Sequence, residues 1–352
     1  MLSSAEGGTH PHRNRGIAVT IVLIAALVAA ITVGVVQLNQ PAPGIQNAQE
    51  FTGRDVYSPD VHPNPTGSGY VMWYAGWQTQ QTLDSGQLDT IYERTAPTRD
   101  GPWSPAATAI AATQVAPQIT EVNDPSVTIV SENGSLAYTM FFTALACHPG
   151  AAGCATTAQQ ATYSQVWSGT STDGAHWGSF RRLAVPDSGK GVSGPSAVLQ
   201  PSGNQQWVVF YGTGCLIGMA SVDASRQVLT SSIAYRGNGI ACMSNPMVSS
   251  WGSKWHMLFN VLEPSATDTV RFDIWSTSST SLTSWPATTP APAVVVQGGH
   301  LCGALTPDVL PAGAGQFDIY FGLVTPGVTG ACDDLTQSTS IARTRVPGSV
   351  LP

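Results

Sequence analysis

Three aspartates stand beside prolines in a recurring motif, Asp124 before its proline in NDPSV and Asp60 in SPDV and Asp308 in TPDV after theirs. Carboxylates brought together from distant parts of a chain can divide the work of proton transfer. Repulsion and partial burial raise one toward the range of a proton donor while another stays ionised. The same oxygen-rich side chains could instead hold a divalent cation such as Ca²⁺. A structural role competes with both, because Asp beside Pro at a strand entry caps turns by accepting backbone N–H groups. Ser58, Gly194, Asn245 and Thr306 occupy the place of Asp124 in the other copies of the motif, which suits capping there. Ser126, Ser196 and Met247 occupy the place of Asp60 and Asp308, so the turn does not require a carboxylate at that place.

The remaining chemistry-bearing residues are fewer. Trp73, Tyr74, Trp77, Tyr211 and Trp255 could stack on sugar faces through apolar C–H contact, but a strand buried on both faces sends most of its aromatics into the core. Trp77 and Tyr211, nearest a strand end, are the candidate platforms. No nucleophile elbow, no H-E-x-x-H pair and no phosphate-cradling glycine loop occurs. The cysteines favour local pairs, Cys147 with Cys154, Cys215 with Cys242 and Cys302 with Cys332, although other connectivities remain open. Thiolate metal binding is the weaker reading, because no C-x-x-C spacing appears.

Composition narrows the setting. The chain has 352 residues, a formal net charge of −7 and only 14 Lys and Arg, which disfavours nucleic-acid binding. Residues 1–16 are polar and carry basic groups, and residues 17–36 run without a charge for long enough to cross a bilayer as a helix. This predicts a cytoplasmic tail, a signal anchor and an extracytoplasmic body that begins after a Pro- and Gln-rich linker at 37–49. Secretion after cleavage is the alternative. All six cysteines follow the apolar run, as expected for a body that oxidises outside the cytoplasm.

Pro59, Pro125, Pro195, Pro246 and Pro307 recur at intervals of roughly 60 residues, the length of a supersecondary unit. Each is followed by an aromatic-rich strand, as in GYVMWYAGW from Gly69 and QQWVVFYGTG from Gln205, and then by a strand rich in Ser and Thr. Outer strands such as FRRLAV and PAVVVQ complete several units. Four strands repeated five times predict an all-β, five-bladed propeller over 50–352, with the proline motifs opening the innermost strands. A pair of sandwiches or a β-helix is the alternative. The last unit lacks an outer strand after Val346, and the segment near Glu50 to Val56 is the candidate to supply it.

The SPDV, NDPSV and SGPSAV starts, the aromatic second strands, the DG and Trp turns and the GGH at Gly298 to His300 together resemble the propellers of glycoside hydrolase family 43 and its arabinanase, xylosidase, levansucrase and invertase relatives. The resemblance covers roughly residues 50–346 and implies a general-base Asp in blade one, an orienting Asp in blade two and a general-acid Glu opening blade three. Asp124 matches the second of these. Asp60 follows its proline where the base of the family precedes it, and Ser193-Gly194-Pro195 stands where Glu-Gly-Pro is expected. A serine hydroxyl cannot replace a carboxylic acid as proton donor. Asp308, adjacent to blade one in a closed ring, is therefore the nominated replacement acid, ahead of Glu263 and Glu121. His300 takes the place of a family histidine that helps hold a central ion or water, although a hydrogen-bonded structural histidine is the more economical account. The resemblance implies a glycan-active protein, a hydrolase of pentose- or furanose-containing polysaccharide, and with the N-terminal anchor the expectation is an exported, membrane-anchored monomer. A non-catalytic propeller that binds carbohydrate or protein is the alternative.

Overall fold

The computed structural model describes residues 56–76, 89–132, 134–147, 162–187, 191–200, 207–240, 242–264, 270–287, 290–294, 302–325 and 338–351. Blade one is β1 (Val56–Pro63), β2 (Tyr70–Gly76), β3 (Thr90–Ala96) and β4 (Ala107–Ile110), paired in that order. Blade two is β5 (Ile119–Glu132), β6 (Ser135–Cys147), β7 (Thr162–Ser171) and β8 (Gly178–Arg182). Blade three is β9 (Val192–Leu199), β10 (Trp207–Thr213), β11 (Leu216–Val222) and β12 (Val228–Tyr235). Blade four is β13 (Met243–Trp251), β14 (Lys254–Pro264), β15 (Val270–Ser279) and β16 (Ala291–Val294). Blade five is β17 (Gly303–Gly313), β18 (Gln316–Thr325) and β19 (Ser338–Pro347), and one parallel bridge, Phe272 to Gly303, joins it to blade four.

The second strands show why the blades stack. Their side chains alternate between two opposite faces, and both faces are apolar. On β10, Val208 and Phe210 pack toward blade four while Trp207, Val209 and Tyr211 pack toward blade two. On β2, Val71 and Trp73 face blade two while Met72 and Tyr74 face blade five. Each of the five core clusters among the described residues lies between consecutive blades, the fifth between blades five and one. The innermost strands touch in the cycle β1, β5, β9, β13, β17 and back to β1. The ring is closed, as the repeats predict, and neither a sandwich pair nor a β-helix has this arrangement.

Closure uses charge as well as packing. Asp318 on β18, with a fully buried side chain, accepts Arg99 Nη1 at 2.8 Å and Arg345 Nε at 2.7 Å, and Arg343 Nη1 lies 3.7 Å away. Arg99 belongs to the DG turn between β3 and β4, where Asp100 pairs with Arg343. The turn of blade one thus clasps blade five. Among the described residues blade five has three strands; Val56 opens β1 opposite Gly76, and residues 50–55, expected to complete blade five, lie outside the described residues.

The predicted disulfide Cys215–Cys242 is formed and ties blade three to the start of blade four. Cys302 is also disulfide-bonded, while Cys154 and Cys332 lie outside the described residues. No helix among the described residues is long and apolar enough to cross a membrane; the expected span at 17–36 lies outside them.

Candidate functional site

The five proline motifs converge on the axis, and each carries the same backbone device. The residue before each proline has positive φ: Ser58 at 49°, Asp124 at 49°, Gly194 at 58°, Asn245 at 47° and Thr306 at 48°. Each innermost strand shifts register there against its second strand. Residues before and after the proline therefore do not point to one face, as they would in regular extended backbone. Four of the five are not glycine, at a cost of roughly 1 kcal/mol each. Contacts around the ring hold them. Thr306 Oγ1 accepts Ser58 N at 2.9 Å, Ser58 Oγ donates to Asp124 Oδ1 at 2.5 Å, Thr143 Oγ1 donates to Asp124 Oδ2 at 2.9 Å, and Gly194 N donates to Thr143 Oγ1 at 2.8 Å. These residues and the five prolines line a narrow axial constriction.

On one side of the constriction, toward the short hairpins that join first and second strands, opens a cavity of about 540 Å³. Asp60 and Asp308 both line it, as the closed ring predicts; Asp124 does not. In four of the five blades the residue after the proline forms an inter-blade rung here. Asp60 Oδ2 accepts Val127 N at 2.8 Å, Ser126 Oγ accepts Ala197 N at 3.0 Å, Ser196 Oγ accepts Val248 N at 2.8 Å and Asp308 Oδ2 accepts Val61 N at 2.8 Å. Met247 replaces this oxygen in blade four. His62 Nε2 lies 3.1 Å from Asp60 Oδ2. Burial, with the charge of Asp60, pushes the Asp308 carboxyl up to about 7 against the pull of His62 and two backbone N–H groups. Burial lowers the His62 imidazole, but the charge and hydrogen bond of Asp60, with the charge of Asp308, outweigh it and leave it raised.

On the other side, where the connections from second to third strands begin, a different set converges. Tyr57 Oη donates to Asp89 Oδ2 at 2.5 Å, and Asn123 Nδ2 donates to the same oxygen at 3.3 Å. Asp89 Oδ1 and Asn123 Oδ1 are buried without a hydrogen-bond partner. Burial drives the Asp89 carboxyl up to about 6, although Tyr57 and Asn123 oppose the shift. Glu121, only partly buried, is driven up to about 7 by burial and by the charge of Asp89. Burial also raises Asp124, while its bonds from Ser58, Thr143 and Gly194 lower it. Sequence reasoning ranked Glu121 low and missed Tyr57, Asp89 and Asn123. A single Asp ahead of a strand has no local signature; only the register that sets β3 beside β2 and β5 reveals it.

The other candidates divide. Tyr211, expected as a sugar platform, is 2% exposed and packs between blades two and three, because position 211 falls on the face of β10 that points at blade two. Its ring face is not available to a sugar. Trp73 and Tyr74 are likewise core, and Trp255 lines the hairpin-side cavity. Ser193 is partly buried and pairs opposite Gly212. Trp77 and His300 lie outside the described residues, as does the side chain of Glu263. Among the described residues no three His, Cys, Asp or Glu side chains are grouped so as to hold a metal ion.

The fold is a five-bladed propeller of the kind found in glycoside hydrolase family 43, and solved structures agree in fold. An endo-arabinanase of that family from Bacillus licheniformis superposes with TM-score 0.58 at 13% identity, covering 86% of this chain and 99% of the other. An α-L-arabinanase from Cellvibrio cellulosa, complexed with arabinohexaose, gives TM-score 0.57 at 12% identity over 85% of this chain and 94% of its own. A xylan β-1,4-xylosidase from Bacillus halodurans C-125 gives TM-score 0.57 at 11% identity over 84% of this chain, which spans about half of that protein, 54%. No protein-family model matches the chain, and no curated protein matches it.

Proposed function

We propose that this chain is an exported, membrane-anchored propeller that binds a pentose- or furanose-containing glycan at the end of the axis carrying Tyr57, Asp89, Glu121 and Asp124, and holds it without cleaving it by the two-carboxylate route. One observation carries the second half. Ser58 and Ser193 stand where the resemblance calls for the base and the acid, and Ser58 Oγ donates its proton to Asp124. Neither hydroxyl can protonate a glycosidic oxygen or ionise to activate water near neutral pH. Support for a glycan comes from the fold shared with proteins described as acting on arabinan and xylan, one of them complexed with arabinohexaose. Arabinan and xylan binding by the full-length chain, measured by affinity electrophoresis beside a reducing-sugar assay, is expected to give retardation without sugar release. Release by the parent overturns the binding reading, and absence of both retardation and release overturns the glycan reading. Fractionation tests the anchor, which is expected to keep the chain in the membrane after a carbonate wash.

Hydrolysis is the second reading, favoured by the raised Glu121 and Asp89 carboxyls, which suit a proton donor near pH 7. It predicts release that falls by two orders of magnitude or so in Glu121→Gln. If release is instead lost in Asp60→Asn or Asp308→Asn, catalysis belongs to the hairpin-side cavity.

A further inference from the structure

The hairpin-side cavity has a feature that the inter-blade rungs leave unexplained. A rung needs one acceptor oxygen for one backbone N–H, and in blades two and three the hydroxyls of Ser126 and Ser196 supply it. Met247 in blade four shows that the ring tolerates the loss of that oxygen altogether. Blades five and one nevertheless carry carboxylates, side by side, each with one oxygen committed to a neighbouring N–H. Asp308 is only 7% exposed, and its repulsion with Asp60 is a standing cost that serine at both positions would remove. Around the axis the five positions therefore grade from an anionic arc at Asp308 and Asp60, through hydroxyls at Ser126 and Ser196, to a thioether at Met247. The indole of Trp255 adds to the Met247 side.

The geometry points to a second ligand site in this cavity, for a small primary amine with an apolar tail, its ammonium between Asp60 and Asp308 and its tail against Met247 and Trp255. A volume of about 540 Å³ suits a small organic ligand, within the usual range of about 300–1,000 Å³ for ligand pockets. Among the described residues no Lys or Arg lines the cavity, and the group there that can neutralise the pair is His62, which already bonds Asp60. An ammonium offers three N–H donors, enough to reach both carboxylate oxygens that the rungs leave unused, Asp60 Oδ1 and Asp308 Oδ1. Ca²⁺ would need about six to eight oxygen ligands, more than two half-committed carboxylates and a pair of hydroxyls provide. This site lies across the constriction from the glycan end and does not depend on that reading.

The test uses the full-length chain in detergent, with n-butylammonium chloride as probe and 1-butanol, tetramethylammonium and calcium chloride as comparisons, read by calorimetry and by thermal shift at pH 8. Butylammonium is expected to bind and to raise the melting temperature, with 1-butanol and tetramethylammonium at least tenfold weaker. Asp60→Ser with Asp308→Ser reproduces what blades two and three carry naturally and should lose at least tenfold in affinity. Asp60→Asn with Asp308→Asn keeps an acceptor for each N–H and should lose as much, which separates lost charge from a damaged ring. Among the described residues Asp60, His62 and Asp308 are the titratable groups lining the cavity, the other innermost strands adding Ser, Thr, Met, Pro and apolar side chains. Affinity should therefore fall as pH drops from 8 to 5 and Asp308 takes up a proton. Equal binding of 1-butanol, parental affinity in the Asn double variant, or protection by calcium chloride alone overturns the proposal.

Discussion

A methyl group on Gly194 would lie 2.6 Å from Asn245 Nδ2 and 2.7 Å from its Cα, in a residue whose φ is already +58°. Two costs meet there, a left-handed backbone and a clash with backbone that cannot swing away. Gly194→Ala is expected to destabilise the propeller by roughly 2–4 kcal/mol in denaturant unfolding. Gly134→Ala is the control, since φ is +79° but a Cβ there meets nothing within 4 Å, so only the backbone cost of roughly 1 kcal/mol applies. If the two variants lose equal stability, close approach of blades three and four at the constriction is not what demands glycine. The residue scale is also where the candidate site was least legible. Asp60 and Asp308 could be placed in one cavity from ring order alone, but their rung hydrogen bonds depend on the neighbouring blade, which no local pattern records.

At the scale of elements, the second strands were the most legible part of the chain. Runs such as YVMWYAG and WVVFYGT are apolar on both alternating faces, and strands with that character have to be sandwiched. The DG turn of blade one was legible as a turn but not as a clasp. Its Arg99 reaches Asp318, more than two hundred residues away in sequence, only because the ring closes. Asp318→Asn leaves Arg99, Arg343 and Arg345 crowded around a neutral side chain. Stability should fall by about 3 kcal/mol or more, because removing one partner strands the others. The loss should grow less at high salt, which screens the repulsion left behind. A variant as stable as the parent in chemical denaturation would mean that apolar packing between blades five and one closes the ring unaided.

For the whole molecule the balance of buried acids sets how stability depends on pH. Asp308 and Glu121 rise to about 7 and Asp89 to about 6, so between the ordinary carboxylate range and those values the folded state holds more protons than the unfolded chain. Stability must then fall as pH rises through that window. His62, also raised, acts in the same direction, because its favourable charge is lost as pH climbs through its folded value. Asp318 works the opposite way, held low by its arginines despite burial, and its contribution disappears only under more acidic conditions. The melting temperature is therefore expected to decline from about pH 5 to about pH 8, and Asp308→Asn, which keeps an acceptor for Val61 N–H, should flatten the decline. A melting temperature that stays level or rises over that interval rules out the assigned burial of these carboxyls.

Period-two apolar strands, turn residues and five proline motifs are local properties, written in the order of the residues, and they were enough to specify a five-fold all-β ring and one of its disulfides. The meaning of each axial side chain was not local. Positive φ before each proline breaks the alternation of regular extended backbone, and so Asp124 turns to the constriction while Asp60 and Asp308 turn to the cavity beyond it. Tyr57 and Asp89 of blade one meet Asn123 of blade two, and the raised pKa of the Asp89 carboxyl follows from burial that the closed ring creates. Electrostatics depends on distance and desolvation rather than on sequence position. Which acids act together was therefore decided by the tertiary structure alone.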